Sequence, residues 1–379
     1  MLAFSSVAPS PALHPERLPG LPLARLPPSM LTCATPLTKA STVCEGVLEL
    51  HAPGRLHLGF LDPSGTLGRA FGSLGLVIDG FETVLELRAA AVDEIDVAAI
   101  GADADADADA ARVRQHVQKL RSLTGCDQPL HWRLLRVLPA HAGFGSGTQL
   151  ALAVGRAFAQ WHGLQIDTAT LARWLGRGRR SGIGIAAFDQ GGLLLDGGPG
   201  ADGSTAPLLS RLSLPAAWRV VVVQDGAQSG LSGRREALAM SALAPLPRAA
   251  AAEICHQVLM RVLPGAAAAD FPAFAAGIVR VQQLLGKHFA PAQGGSAYTS
   301  AAVGQLLRWL EQTHCGPGEP SHAAAVGQSS WGPTGFAILP SQAVAEATVA
   351  AARAAGQVPQ SLQIDIVAAR DRGATITRR

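Results

Sequence analysis

Lysine is nearly absent from this 379-residue chain: Lys39, Lys119 and Lys287 are the only ones among 31 lysines and arginines. Charge of either sign is sparse as well, at 16% of residues with a net charge of +3. So mild and evenly spread a balance excludes a nucleic-acid binder, which needs a concentrated basic face. The five cysteines (Cys33, Cys44, Cys126, Cys255 and Cys315) stand singly, with no C-x-x-C pair and no zinc spacing. Reduced thiols, and so a cytoplasmic protein, are the expectation. No apolar run approaches the length that spans a membrane. The N-terminus carries prolines where a signal peptide needs a continuous apolar core. Residues 1–42 read as a disordered, Pro-rich extension.

What the chain does have is apolar mass, 48% of residues, enough for one large domain or two moderate ones. Its arginines offer forked donors that match carboxylates and phosphates, which suits small anionic ligands; an Ala- and Arg-rich composition alone would give the same bias. Residues 43–61 alternate as a strand, with Arg55, His57 and Gly59 on one face and Leu56, Leu58 and Phe60 on the other. Residues 82–91 read as a second strand, and residues 101–110 as an exposed acidic loop. A helix follows that Gly125 should stop. Residues 130–139 are a strand; 148–163 an almost wholly apolar, hence buried, helix; Asp167 the cap of another helix. Residues 179–198 read as a Gly-rich loop leading into a strand. Strand 218–226, helices near 247–263, 270–289 and 299–314, and two strands around a helix after 335 complete an α+β pattern. A boundary near residue 215 would divide a first domain, 43–215, from a second, 216–379.

The stretch most suggestive of chemistry is "PAHAGFGSGTQLALAVG", Pro139 to Gly155. A helix N-terminus presents unpaired N–H groups and the positive end of the peptide dipole, and glycines before it let a phosphate approach the backbone. Ser146 and Thr148 could add hydroxyl donors. The spacing matches neither a Walker loop nor a dinucleotide fingerprint, and a tight packing turn would also use these residues.

Three further stretches add weight: "APGRLHLGFLDPSG", "SGIGIAAFDQGG" and "GQSSWGPTGFAIL". Together with Pro139, Gly143, Phe144, Gly145 and Ser146, they resemble the GHMP kinase superfamily from about Val47 onward. The resemblance implies an N-terminal α/β domain of ribosomal-protein-S-five type and a C-terminal ferredoxin-like domain. Two departures set the chain apart from the kinases. Gly147 replaces the second serine of the central loop, and Trp331 and Pro333 stand where the third loop is usually glycines. The long stretches "GRLHLGFLDPSGTLGRAFGSLGLVID", "GLSGRRE" and "GQSSWGPTG" are similar to a non-kinase branch, the β-ribofuranosylaminobenzene 5′-phosphate synthases.

That resemblance implies condensation of phosphoribosyl pyrophosphate with 4-aminobenzoate or 4-hydroxybenzoate, loss of pyrophosphate and CO2, and a place in tetrahydromethanopterin synthesis. On this reading Gly143, Gly145, Ser146, Gly147 and Thr148 hold a phosphate. Mg2+ bridges the pyrophosphate on Asp189, with Asp62 second, although Asp189 could also serve as a turn or cap residue. Arg55 and His57 hold an anion, although such an arginine can also simply pair with an acid, and His57 more readily reads as structural. Arg180, Ser232, Ser329 and Ser330 are further binding candidates. Trp331 either stacks on the aromatic substrate or is buried at a domain seam. Small-molecule substrates and a homodimer are expected, without nucleic acid or membrane. A kinase of the same fold, or a non-catalytic sugar-phosphate sensor, are the competing readings.

Overall fold

The structure, a computed structural model, describes residues 46–98, 105–228, 230, 233–314 and 324–379. The expected Pro-rich extension, Ser232, and residues 101–104 of the acidic stretch lie outside these. The rest of that stretch is not a loop: Asp105 accepts the Ala108 N–H at 3.0 Å and caps a helix that begins at Ala106. Aspartates in a first turn suit the helix dipole, which outweighs their loop-like composition.

The first half of the chain contributes β1 (Leu48–Asp62), β2 (Phe71–Ala89), β3 (Glu94–Val97), α1 (Ala106–Thr124), β4 (Leu130–Arg136), α2 (Ser146–Trp161), α3 (Thr168–Trp174), α4 (Ile183–Asp189), β5 (Leu193–Asp196) and β6 (Leu208–Leu212). The strands form a mixed sheet in which β2 pairs with β1, β4 and β5. Gly125 ends α1 in the left-handed conformation with φ 74°, and Asp167 caps α3 through the Thr170 N–H. The side chains of α2 and its neighbours fill one core, with Leu152, Val154 and Phe158 inaccessible to solvent.

The second half adds β7 (Arg219–Asp225), α5 (Gly233–Ala242), α6 (Arg248–Gln257), α7 (Leu263–Ala267), α8 (Phe271–Phe289), α9 (Ala301–His314), β8 (Ala325–Gln328), β9 (Gly335–Leu339), α10 (Gln342–Ala354) and β10 (Leu362–Val367). Its sheet is antiparallel in the order β10-β7-β9-β8. The last strand, β11 (Thr375–Arg378), returns to pair with β1, so the end of the chain belongs to the first sheet. A further core is shared by both halves, from Leu56, Leu58 and Phe60 of β1 to Phe274, Ile278 and Val281 of α8. Each fully buried side chain of this size contributes about 1.5–3 kcal/mol. Among the described residues, no helix is long and apolar enough to cross a membrane.

The segment around Asp189 departs from the expected Gly-rich loop. Ile183, Ala186 and Ala187 recur at helical spacing and bury one face against Val77 and Leu194. Ile185 and Phe188 bury the other face in the core behind α2. Packing on two sides makes a helix of a stretch whose glycines argue for a loop.

Candidate active site

β1 is irregular where it carries its polar residues. Its register against β2 shifts between Pro53 and Arg55 and again between His57 and Gly59. Such bulges re-aim side chains, and Arg55 crosses to the loop before α2. Its N–H donates to the Phe144 carbonyl at 3.1 Å, and its Nη1 donates to the Gly143 carbonyl at 2.5 Å. Phe144 is fully buried and stacks on Phe81, with ring centroids 4.6 Å apart. That anchor fixes the loop from beneath.

Gly143 and Gly145 have φ of 98° and 78°, a region that disfavours any side chain. A β-carbon on Gly145 would also stand 3.2 Å from Arg55 Cζ. Gly145 is the N-cap of α2 and supplies no capping side chain. Its carbonyl accepts the N–H groups of Thr148 and Gln149, at 2.9 and 3.0 Å. The N–H groups of Ser146 and Gly147 meet no acceptor among the described residues, and neither does the Ser146 hydroxyl.

Two guanidinium groups flank these donors. Arg55 is one. Arg177 is the other, its Nη1 lying 3.1 Å from where a Gly147 β-carbon would be. Neither forms an ion pair among the described residues, and the Nε of each is buried without an acceptor. Burial pulls the Arg55 guanidinium down to about 10, partly offset by the charge of Glu236, so it stays protonated at neutral pH. Burial lowers Arg177 as well, with Arg112 and Arg179 repelling it. Buried His116 is pushed down to about 4 by burial and then by Arg177 and Arg112. Positive charge has therefore been gathered at a helix N-terminus that already favours an anion. Arg177 carries no mark of this role in its own neighbourhood of sequence, because only the close approach at Gly147 brings it to the loop.

The loop between β8 and β9, residues 329–334, closes the floor. Ser329 Oγ donates to the Gly143 carbonyl at 2.8 Å and accepts the His57 N–H at 2.9 Å. The Ser330 N–H donates to the His57 carbonyl at 3.2 Å. Ser329 is thus a stitch between loops, with its hydroxyl committed in both directions, rather than a free substrate donor. Trp331 is 2% exposed and packs edge-on against Phe289 at 5.1 Å, so it belongs to the shared core and not to a stacking platform. His57 is 3% exposed, and burial followed by the charges of Arg55 and Arg180 lowers it to about 3. It is a neutral ring at pH 7, tilted against Phe60 at 4.6 Å.

Both expected metal ligands lie elsewhere. Asp189 ends α4, where its Oδ1 accepts the Thr168 hydroxyl at 2.6 Å, and Arg156 donates to that same hydroxyl at 2.7 Å. Partial desolvation lifts the Asp189 carboxyl above its ordinary value, opposed by the Thr168 bond. Ten residues along α2 separate Arg156 from Ser146, about 15 Å at the helical rise. Asp62 is 3% exposed and accepts the Ser64 and Leu67 N–H groups and the Thr66 hydroxyl, so it builds the turn after β1. Among the described residues, no group of three or more His, Cys, Asp or Glu side chains could hold a metal ion.

The carboxylates that do serve the site are Glu236 and Asp196. Glu236 accepts from Arg180 Nη2 at 2.8 Å. Asp196 is 1% exposed and accepts the Gly182 N–H at 2.8 Å and the Ser181 hydroxyl at 3.3 Å, fixing the segment that carries Arg180.

The two-part α+β arrangement, with a Gly-rich loop opening a buried helix, is the fold of the GHMP kinase class. Residues 110–192 match the family described as GHMP kinases N terminal domain. The homoserine kinase of Cytophaga hutchinsonii superposes with a TM-score of 0.61, covering 90% of this chain and 100% of that one at 15% identity, a likeness of fold alone. More specifically, the chain belongs to the β-ribofuranosylphenol 5′-phosphate synthase family. It is 31% identical over 309 residues to the Archaeoglobus fulgidus protein of that name, covering 78% of this chain and 89% of the relative. The Methanothermobacter thermautotrophicus protein of the same name is 29% identical over 247 residues, covering 62% and 75%.

Proposed function

We propose that the chain is a riboside-phosphate-forming enzyme that transfers the phosphoribosyl group of phosphoribosyl pyrophosphate to a 4-substituted benzoate, with loss of pyrophosphate and CO2. The relatives' names specify a ribosyl group on a phenol ring and a 5′-phosphate, which supports 4-hydroxybenzoate as acceptor beside 4-aminobenzoate. The observation that carries the proposal is the pair of N–H groups on Ser146 and Gly147 that meet no acceptor among the described residues, flanked by the guanidinium groups of Arg55 and Arg177, neither of which forms an ion pair among those residues. This is a preformed cradle for a phosphate or pyrophosphate.

In the reaction, the bond from the ribose C1 to the pyrophosphate oxygen breaks, and the leaving oxygen takes the electron pair. The cradle stabilises that growing charge; one well-placed donor is worth about 3 kcal/mol. The ring carbon bearing the carboxylate is electron-rich because its para substituent donates into the ring. It bonds to ribose C1. The bond from that carbon to the carboxylate then breaks, its electron pair restores the aromatic ring, and CO2 leaves. No covalent enzyme nucleophile is required. Asp189 and Asp62 do not fit as magnesium ligands at this cradle. A magnesium ion would instead be held by the pyrophosphate oxygens, which it prefers, and would offset their charge. The pathway would be tetrahydromethanopterin synthesis.

The test supplies phosphoribosyl pyrophosphate and carboxyl-labelled 4-hydroxybenzoate or 4-aminobenzoate to the purified protein. Labelled CO2 and pyrophosphate should appear in equal amounts. ADP formation from ATP with neither product would replace this reading by a kinase.

A further inference from the structure

A cavity of about 280 Å³ is walled by Phe71, Met240, Leu243 and Phe289, with Ser64 and Arg180 among its polar groups. Ligand cavities run from about 300 to 1,000 Å³, so this one suits a single ring rather than a nucleotide. Its walls offer two aromatic side chains, which favour offset or edge contacts with a planar ligand.

Arg180 gives the cavity its chemistry. Its Nη2 is well met by Glu236 at 2.8 Å, but the partner of its Nη1 is the Met240 sulfur at 3.0 Å. A thioether is a weak acceptor, whereas a guanidinium fork is shaped for carboxylate oxygens. Part of the fork therefore faces an apolar cavity with a poor partner. The cavity and the cradle are electrically joined: His57 feels both Arg55 and Arg180, and Arg55 feels Glu236.

We propose that this cavity holds the ring of a single-ring aromatic acid, whose carboxylate takes the place of the Met240 sulfur on Arg180. The identity of the acid as the acceptor substrate rests on the reading given under "Proposed function". Glu236 then acts as a positioning residue that holds Arg180 toward the cavity, and the carboxylate-bearing carbon lies at the cradle end.

Calorimetric titration of the full chain with 4-hydroxybenzoate, with phenol, and separately with phosphoribosyl pyrophosphate tests this. Arg180→Gln should weaken 4-hydroxybenzoate binding at least tenfold, leave phenol within twofold, and leave phosphoribosyl pyrophosphate within twofold. Arg180→Lys should recover part of the loss. Met240→Trp, which fills the cavity, should abolish binding of both ring compounds at unchanged melting temperature. Unchanged 4-hydroxybenzoate binding in Arg180→Gln or Met240→Trp overturns the proposal, as does an equal loss of both substrates. If wild type releases CO2 while these variants keep its KM for the acid, the cavity assignment fails and the reaction stands. If the acids bind in the predicted pattern but no CO2 is released, the cavity assignment stands and the reaction fails.

Discussion

Arg177 occupies the space that a side chain on Gly147 would need: a β-carbon there would stand 3.1 Å from the guanidinium Nη1. The GHMP kinase pattern places a serine at this position. Its replacement by glycine lets an arginine come alongside the first turn of α2, beside two N–H groups that no protein acceptor meets among the described residues. Gly147→Ser should therefore displace Arg177 and weaken phosphoribosyl pyrophosphate about three- to tenfold, with little change in melting temperature. Equal affinity in the variant would show that Arg177 does not share the ligand.

Ser146 offers a hydroxyl without an acceptor among the described residues at the same helix terminus. A hydrogen bond to a charged group contributes about 1.5–3 kcal/mol. Ser146→Ala should raise the Kd for phosphoribosyl pyrophosphate about tenfold and leave that for the benzoate within twofold. Equal effects on the two ligands would contradict the loop's assignment to the phosphorylated one.

Asp189→Asn should release CO2 at a rate within about twofold of wild type. Its carboxylate serves Thr168, whose other partner, Arg156, stands roughly 15 Å along α2 from Ser146. Loss of that hydrogen bond should cost about 0.5–1.5 kcal/mol of stability, readable in urea denaturation. Abolished turnover with a native melting temperature would return Asp189 to the chemistry.

Two buried imidazoles make stability depend on pH. His57 and His116 have folded values of about 3 and about 4, below the ordinary 6.5 of the unfolded chain. Their stabilising contribution is complete above about pH 6.5. As pH falls below that, the unfolded state binds protons the native state refuses, and stability drops by about 1.4 kcal/mol per pH unit for each residue. His116→Gln should reduce the slope between pH 6 and 4.5 by roughly that amount. An unchanged slope would mean that His116 is not held neutral. Because His57 is also neutral, the CO2 release rate should show no ionisation of His57 between pH 6 and 8.

Much of the site's scaffold was readable along the chain, because it is local. Gly125 and Asp167 end and start helices through their own backbone and side chain, and the apolar run after Gly145 can only be a buried helix. The chemistry was less readable, because it depends on contacts between distant segments. Asp189 between glycines looks like a ligand until α4 is seen to pack on two cores. Asp62 reads as a second acid, yet its oxygens are spent on the turn two to five residues later. Ser329 looks like a phosphate donor but ties β1 to the central loop across 186 and 272 residues of sequence. Arg177 escapes notice because its only mark is a missing side chain on Gly147, far back along the chain.

The most direct measurement is a calorimetric titration of phosphoribosyl pyrophosphate into wild type and into Arg177→Gln. The variant should bind at least tenfold more weakly, with its melting temperature unchanged and its affinity for 4-hydroxybenzoate preserved. Wild-type affinity in Arg177→Gln would show that the ligand's phosphates lie elsewhere than at the first turn of α2.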